Sequence, residues 1–130
     1  MDDTEQIDEE GLKRLVTTFY GRVRNDPDLG PVFEEAVDDW PEHFEKLTAF
    51  WSSVMLATGR YQGNPMQAHA RRRNRITPRM FDRWLALWNE TTAEVMAPQA
   101  AAALQERAAR IGESLKLGLF FRLDPRPTAT

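Results

Sequence analysis

The segment TPRMFDRWLALWNETTAEV, residues 77–95, has the clearest helical pattern in this 130-residue chain. Its large side chains recur every three or four positions, which places them on one face of an α-helix. Thr77 followed by Pro78 is typical of a helix start, with a capping hydroxyl and a proline in the first turn. The segment therefore predicts a long helix with one mainly apolar face, made of Phe81, Trp84, Leu85, Trp88, Thr92 and Val95.

The segments on both sides of this helix repeat the same period. Helices are predicted over about 10–25 and 41–57, over the short stretches 31–37 and 65–69, and after Pro98 in a segment that carries Leu104 to Leu119. Prolines and glycines separate these segments, and no segment alternates as a strand does. We therefore predict an all-α chain with four substantial helices, arranged as a bundle or a globin-like sandwich.

The length and composition fit one soluble domain. A chain of 130 residues buries a sizeable core without needing a second domain. It contains no run of eighteen apolar residues, and six carboxylates precede residue 11, which argues against a membrane span and a signal peptide. We expect an acidic arm over 1–10, the domain over 11–121, a flexible tail over 122–130, and a cytoplasmic location.

Several kinds of chemistry are excluded by the residues that the chain lacks. It has no cysteine, so it cannot form a disulfide, an iron–sulfur cluster, a zinc finger or a thiol nucleophile. Its net charge of -3 argues against a nucleic-acid binder. The hydrolase, zincin and phosphate-loop motifs are also absent, so hydrolysis is not expected.

The two histidines, His43 and His69, lie on different predicted helices among aromatic residues. At ~100° per residue, His43 falls at the edge of the apolar stripe that continues through Leu47, Phe50 and Trp51. A planar, apolar cofactor whose metal takes one imidazole, such as haem, matches this set of residues. Histidines and aromatic stripes are also common in ordinary cores, so composition and spacing leave both interpretations open.

The order of several motifs resembles that of the group III truncated haemoglobins. The matching motifs run in sequence from about residue 12 to 121: Phe19-Tyr20 with Val23, DLGPVF at 28–33, His43, Phe50-Trp51, YQGNPM at 61–66 with His69, and FDRWLAL at 81–87. The resemblance implies the truncated globin fold, a two-over-two sandwich of α-helices around one haem b.

The resemblance also implies roles for individual side chains. His69 matches the proximal histidine that ligates the iron, while Tyr20, His43 and Trp84 match the distal residues that face the bound ligand. A bound dioxygen carries partial negative charge, which hydrogen-bond donors stabilise in a dry pocket. For His43 three roles stay open: donation to the ligand, gating of the pocket mouth, and ligation of the iron.

The remaining contacts with haem follow from the helical faces and from the charges near the histidines. Lys46 is placed to reach one propionate, and Arg72 or Arg75 the other. The run Arg71–Arg75 departs from the family pattern, which is mostly apolar here, and Trp88 replaces an expected Phe. Besides Trp84, the predicted wall consists of Phe19, Phe33, Leu47, Phe50, Trp51, Met66, Ile76, Phe81, Leu85 and Ile111.

We expect a haem protein that binds dioxygen, nitric oxide and carbon monoxide and is returned to the ferrous state by an unidentified reductase. Three distal donors exceed what reversible carriage requires, which favours nitric oxide detoxification or peroxidase-like turnover. The alternatives are simple oxygen binding, a haem-based ligand or redox sensor that uses the acidic stretch 34–45, and a haem-free helical interaction module. No nucleic-acid or membrane partner is expected.

Overall fold

The computed structural model describes residues 7–121, a range without strands. Residues 1–6 of the predicted arm and the whole predicted tail lie outside that range. A 3₁₀ turn, Arg73–Arg75, follows the fourth helix, and a π-helical turn, Leu117–Phe121, follows the sixth. The all-α prediction is confirmed by helices α1 (Glu9–Arg24), α2 (Gly30–Ala36), α3 (Trp40–Leu56), α4 (Pro65–Ala70), α5 (Pro78–Val95) and α6 (Pro98–Lys116).

Short polar side chains fix the starts of three helices. Asp8 caps α1, Asp39 caps α3 and Asn64 caps α4, each by accepting the backbone N–H three residues further along. α5 begins after Thr77 as predicted, but the predicted hydroxyl cap is wrong, since the Thr77 side chain makes no capping hydrogen bond. The start is set instead by Pro78, whose ring fixes a helical φ and whose missing N–H needs no partner.

The four long helices pack as two pairs. α1 packs against α3, α5 packs against α6, and contacts between α1 and α5 join the pairs. Three indole rings stack through the middle: the centroid of Trp88 lies 4.5 Å from that of Trp51 and 5.8 Å from that of Trp84. Trp88 Nε1 also donates to the carbonyl of Leu104 on α6, at 3.1 Å. The described helices include none with the length and apolar character of a membrane span.

The turn between α1 and α2 is held by a buried carboxylate. Asp26 has only 2% of its side chain exposed, and it accepts hydrogen bonds from the amides of Asp28 and Leu29 and, at 2.7 Å, from Arg83 Nε on α5. Burial by itself would raise the pKa of Asp26, but these hydrogen bonds outweigh it and lower the pKa below its ordinary value. The carboxylate thus ties the α1–α2 turn to α5.

Replacing Asp26 with Asn is expected to lower the free energy of unfolding at pH 7 by about 2 kcal/mol, because buried donors lose a charged acceptor. The pKa of Asp26 is lower in the folded state than in the unfolded state. Its stabilisation is therefore complete above the unfolded value, ~3.9, and is lost as the pH falls through the folded value. Urea unfolding at pH 7 and at acid pH measures both effects. Asp28→Asn, at an exposed neighbour, is the control, and equal losses in the two variants would contradict the prediction.

Candidate functional site

His69 lies in the last turn of α4 with its imidazole held in one tautomer. Its Nδ1 lies 2.7 Å from the carbonyl oxygen of Pro65, one turn earlier. Because a carbonyl only accepts, Nδ1 is the donor in this hydrogen bond, and in the neutral form of the ring the lone pair is on Nε2. Within residues 7–121, Nε2 has no hydrogen-bond partner. A neutral imidazole fixed through its other nitrogen is the usual form of a metal-ligating histidine.

The short helix that carries His69 rests on the π-helical turn at the C-terminal end of the described chain. Met66 packs directly over Gly118, where a Cβ would overlap the end of the methionine side chain. The ring of Phe81 lies 6.1 Å from the His69 ring, and that of Phe120 lies 6.4 Å from Phe81. Phe120 is not among the residues predicted from the sequence for this site, although it comes directly after Leu119, the last position of the predicted apolar face.

Tyr20 on α1 and Trp84 on α5 are joined by a hydrogen bond, in which Trp84 Nε1 donates to the phenol oxygen at 3.4 Å. Burial raises the pKa of Tyr20 to about 12, and the hydrogen bond from Trp84 offsets part of that rise. The phenol is therefore protonated at physiological pH. Because its oxygen accepts from Trp84, its own proton remains to be donated to a further acceptor.

His43, on α3, is half-buried beside Tyr20. Its ring centroid lies 6.3 Å from that of Tyr20 and 5.6 Å from that of Trp40, edge-on to both. Burial lowers the pKa of His43, and the ammonium of Lys46 lowers it further, so the imidazole is neutral at pH 7. Trp40 is not among the residues predicted from the sequence for this site, because its neighbours Asp39 and Pro41 indicate only a helix start. The indole N–H of Trp40 is a buried donor without a hydrogen-bond partner in the described residues.

Most of the predicted wall residues are half-buried, whereas the core of this chain is fully buried. This is the exposure that an apolar cleft gives to the side chains lining it. Phe19 and Trp51, at 0% and 1% exposed, lie instead in the closed core. The half-buried wall residues come from five helices and the loop before α5: Phe33, Leu47, Phe50, Met66, Ile76, Phe81, Trp84, Leu85 and Ile111.

A mainly apolar recess lies between α3, α4 and α6. It is a depression of about 390 Å³ that brings together Phe50, Met66 and Ile111 from the predicted wall. Val54 and Leu115 also line it. Neither is among the predicted wall residues, although Val54 follows Phe50 and Trp51 at helical spacing and Leu115 follows Ile111 in the same way. The apolar periodicity of α3 and α6 therefore carried the signal for these two residues.

The cations predicted to meet the propionates have different surroundings. Lys46 is exposed and Arg72 is half-buried, and within the described residues neither forms an ion pair. Arg75 contacts Glu35 on α2, with 2.8 Å between Nη1 and Oε2. Arg75 is thus already paired with a carboxylate of the chain, whereas Lys46 and Arg72 have no ion pair within the described residues.

These residues fit a haem. The chain offers one imidazole nitrogen with a lone pair, an apolar cleft between helices, and a protonated phenol with two further ring nitrogens nearby. A planar apolar macrocycle whose metal takes one axial imidazole needs this combination.

Comparison with known proteins gives a consistent result. A family model described as bacterial-like globin matches residues 6–114. The chain is 31% identical over 123 residues to the group 3 truncated hemoglobin ctb of Campylobacter jejuni, with 89% of this chain and 94% of that protein covered. The crystal structure of a group III truncated hemoglobin from Campylobacter jejuni matches with a TM-score of 0.81 at 30% identity, covering 90% of this chain and 94% of that one.

The fold, the motifs and these comparisons agree, and the resemblance predicted from the sequence is confirmed. Membership of the globin family implies a haem and the binding of diatomic ligands. The chain belongs to the bacterial-like globin family, as a group III truncated haemoglobin.

Proposed function

We propose that this chain is a haem b protein that retains dioxygen and uses it in oxidative chemistry, either nitric oxide detoxification or peroxidase-like turnover. His69 is its proximal ligand, and Tyr20, His43 and Trp84 act on the distal side. The observation that carries the proposal is the hydrogen bond from Trp84 to Tyr20, which leaves a buried, protonated phenol with its proton available.

The chain's own residues account for how the cofactor is held. His69 Nε2 would bind the iron of a haem, the half-buried apolar residues would surround its ring, and Lys46 and Arg72 would pair with its propionates, with Arg75 available if it leaves Glu35. Covalent haem attachment uses cysteine, which this chain lacks, so we infer haem b. A haem held there would supply an iron that binds dioxygen, nitric oxide or carbon monoxide and changes between the ferric and ferrous states.

The distal residues favour retention of dioxygen over rapid exchange. Trp84 donates to Tyr20, and a hydroxyl that accepts a hydrogen bond becomes a better donor itself. His43 is neutral, so one ring nitrogen donates while the other can take a proton from a peroxide O–H and return it. Two donors and one proton acceptor are more than reversible carriage requires.

The acidic stretch 34–45 gives little support to the sensor alternative. Glu34, Glu35 and Glu45 each pair with a cation of the same chain, so these carboxylates are engaged.

The proposal also includes a reductase for the iron, a cytoplasmic location and a globin domain over 11–121. In the structure, α1 already begins at Glu9 and Ile7 is buried, so the helical part starts before the domain boundary predicted at residue 11.

Stopped-flow consumption of nitric oxide by the oxygenated protein, run beside peroxide turnover with a phenolic reductant, tests the proposal. If peroxide chemistry dominates, His43→Leu should lower the peroxide rate by roughly 100-fold, because proton transfer is lost. Nitric oxide consumption needs no such transfer and should persist in that variant. If neither reaction exceeds that of free hemin, the oxidative proposal is wrong and oxygen binding or sensing remains.

A further inference from the structure

Several arginines of this chain form ion pairs with carboxylates, as Arg22, Arg24, Arg60, Arg83 and Arg110 show. Arg14 on α1 and Arg107 on α6 are exposed without an ion pair in the described residues, but they lie on separate helices. Arg71 and Arg73, just after α4, and Arg79, in the first turn of α5, are also exposed and form no ion pair with described residues, and they lie within nine residues of sequence. We call these three the basic face. It lies in a chain whose net charge is -3.

Arg73 of the basic face lines an open depression of about 480 Å³. The other residues that line it are Ala70, Asn74 and Phe120. The ring centroid of Phe120 lies 6.4 Å from that of Phe81, which in turn lies 6.1 Å from the ring centroid of His69. Two aromatic rings therefore separate this surface from the imidazole of the proposed axial ligand.

We propose that the basic face and its depression dock an acidic one-electron donor, a flavin or iron–sulfur protein, that reduces the iron held by His69. This inference rests on the proposed function. One electron leaves the reduced centre of the partner, which is oxidised by one electron, and the ferric iron becomes ferrous without proton transfer.

Charge and position both favour this occupant. Guanidinium groups without an internal carboxylate match the carboxylates of an acidic partner with a fixed, forked geometry. A patch of one sign also raises the rate of encounter with an oppositely charged partner. The net negative charge of the whole chain disfavours a nucleic acid, and the ring pathway to His69 gives a redox partner a reason to dock here.

Reduced plant-type [2Fe–2S] ferredoxin, an acidic protein, is a suitable probe. The test variant is R71E/R73E, and the matched control is R14E/R107E, which makes the same charge change at exposed positions of α1 and α6. We measure the second-order rate of ferric protein reduction by stopped flow, and the Kd for oxidised ferredoxin by calorimetry. The wild type and the control should bind at low salt and weaken as salt rises, whereas R71E/R73E should lose binding and be reduced at least about tenfold more slowly.

Two checks separate this inference from the proposed function. All three proteins should show the same Soret band and the same rate of reduction by dithionite, so that the loss lies in docking alone. A wild type without a Soret band would overturn the proposed function. Equal ferredoxin binding by the three proteins would overturn the docking site. The site would also be overturned if R71E/R73E no longer bound phosphatidylglycerol vesicles but still bound ferredoxin.

Discussion

His69→Gly is expected to weaken hemin binding by more than about 100-fold and to remove the intense Soret band of the loaded protein. The variant deletes the imidazole whose Nε2 lone pair is left free by the Nδ1 hydrogen bond to Pro65. Changes in the groups that merely orient a metal ligand already cost 10–100-fold in affinity, so loss of the ligand should cost more. Titration of the purified protein with hemin, followed by absorbance, gives the affinity directly.

The two histidines of this chain provide a matched control. His43→Gly should keep the Soret band, because the role proposed for His43 is on the distal side. Imidazole added to His69→Gly should restore the band by occupying the space that the side chain left, which shows that the variant is folded. An unaltered band in His69→Gly, or a band that only His43→Gly removes, would contradict the assignment of the axial ligand.

Tyr20→Phe is expected to raise the dioxygen dissociation rate by about 10- to 100-fold. The variant removes a buried hydroxyl that stays protonated because its pKa is raised to about 12. A hydrogen bond to a charged acceptor contributes about 1.5–3 kcal/mol, which corresponds to this range of rates. Stopped-flow displacement of dioxygen by carbon monoxide measures the rate.

Two comparisons make this result specific to the hydroxyl. Trp84→Phe retains the phenol but removes the N–H that polarises it, so its effect should be smaller than that of Tyr20→Phe. Carbon monoxide carries less negative charge than dioxygen when bound, so its dissociation should change little in either variant. An unchanged dioxygen rate in Tyr20→Phe, or an equal change for both gases, would refute a donor role for Tyr20.

Regular periodicity made the helices predictable. In 77–95, the spacing of the large side chains gave both the helix and its buried face, and Trp88 is 0% exposed. The observed starts and ends of α1, α2 and α3 lie within about two residues of the predicted ones, which is the usual uncertainty of helix boundaries. The bond from His69 to Pro65 spans one helical turn, so the same periodicity places these two residues together.

Contacts between distant segments could not be predicted in this way. The ion pair of Asp26 with Arg83 joins residues 57 apart, and that of Arg75 with Glu35 joins residues 40 apart. Neither pair leaves a periodic signal, because each depends on how whole helices cross. The π-helical turn that supports α4 has no apolar repeat of its own, so the contact of Phe120 with Phe81 emerged only from the structure.

The tryptophan stack has a consequence for engineering this molecule. Trp84 is one end of a column whose other members, Trp88 and Trp51, are buried in the core and join α5 to α3. A residue proposed to act on the ligand is thus also part of the packing that holds the two helix pairs together. Ligand retention and thermal stability are therefore not independent variables at position 84. A designer who wants to tune one without the other would work at half-buried His43, which lies outside the column, and leave the indoles unchanged.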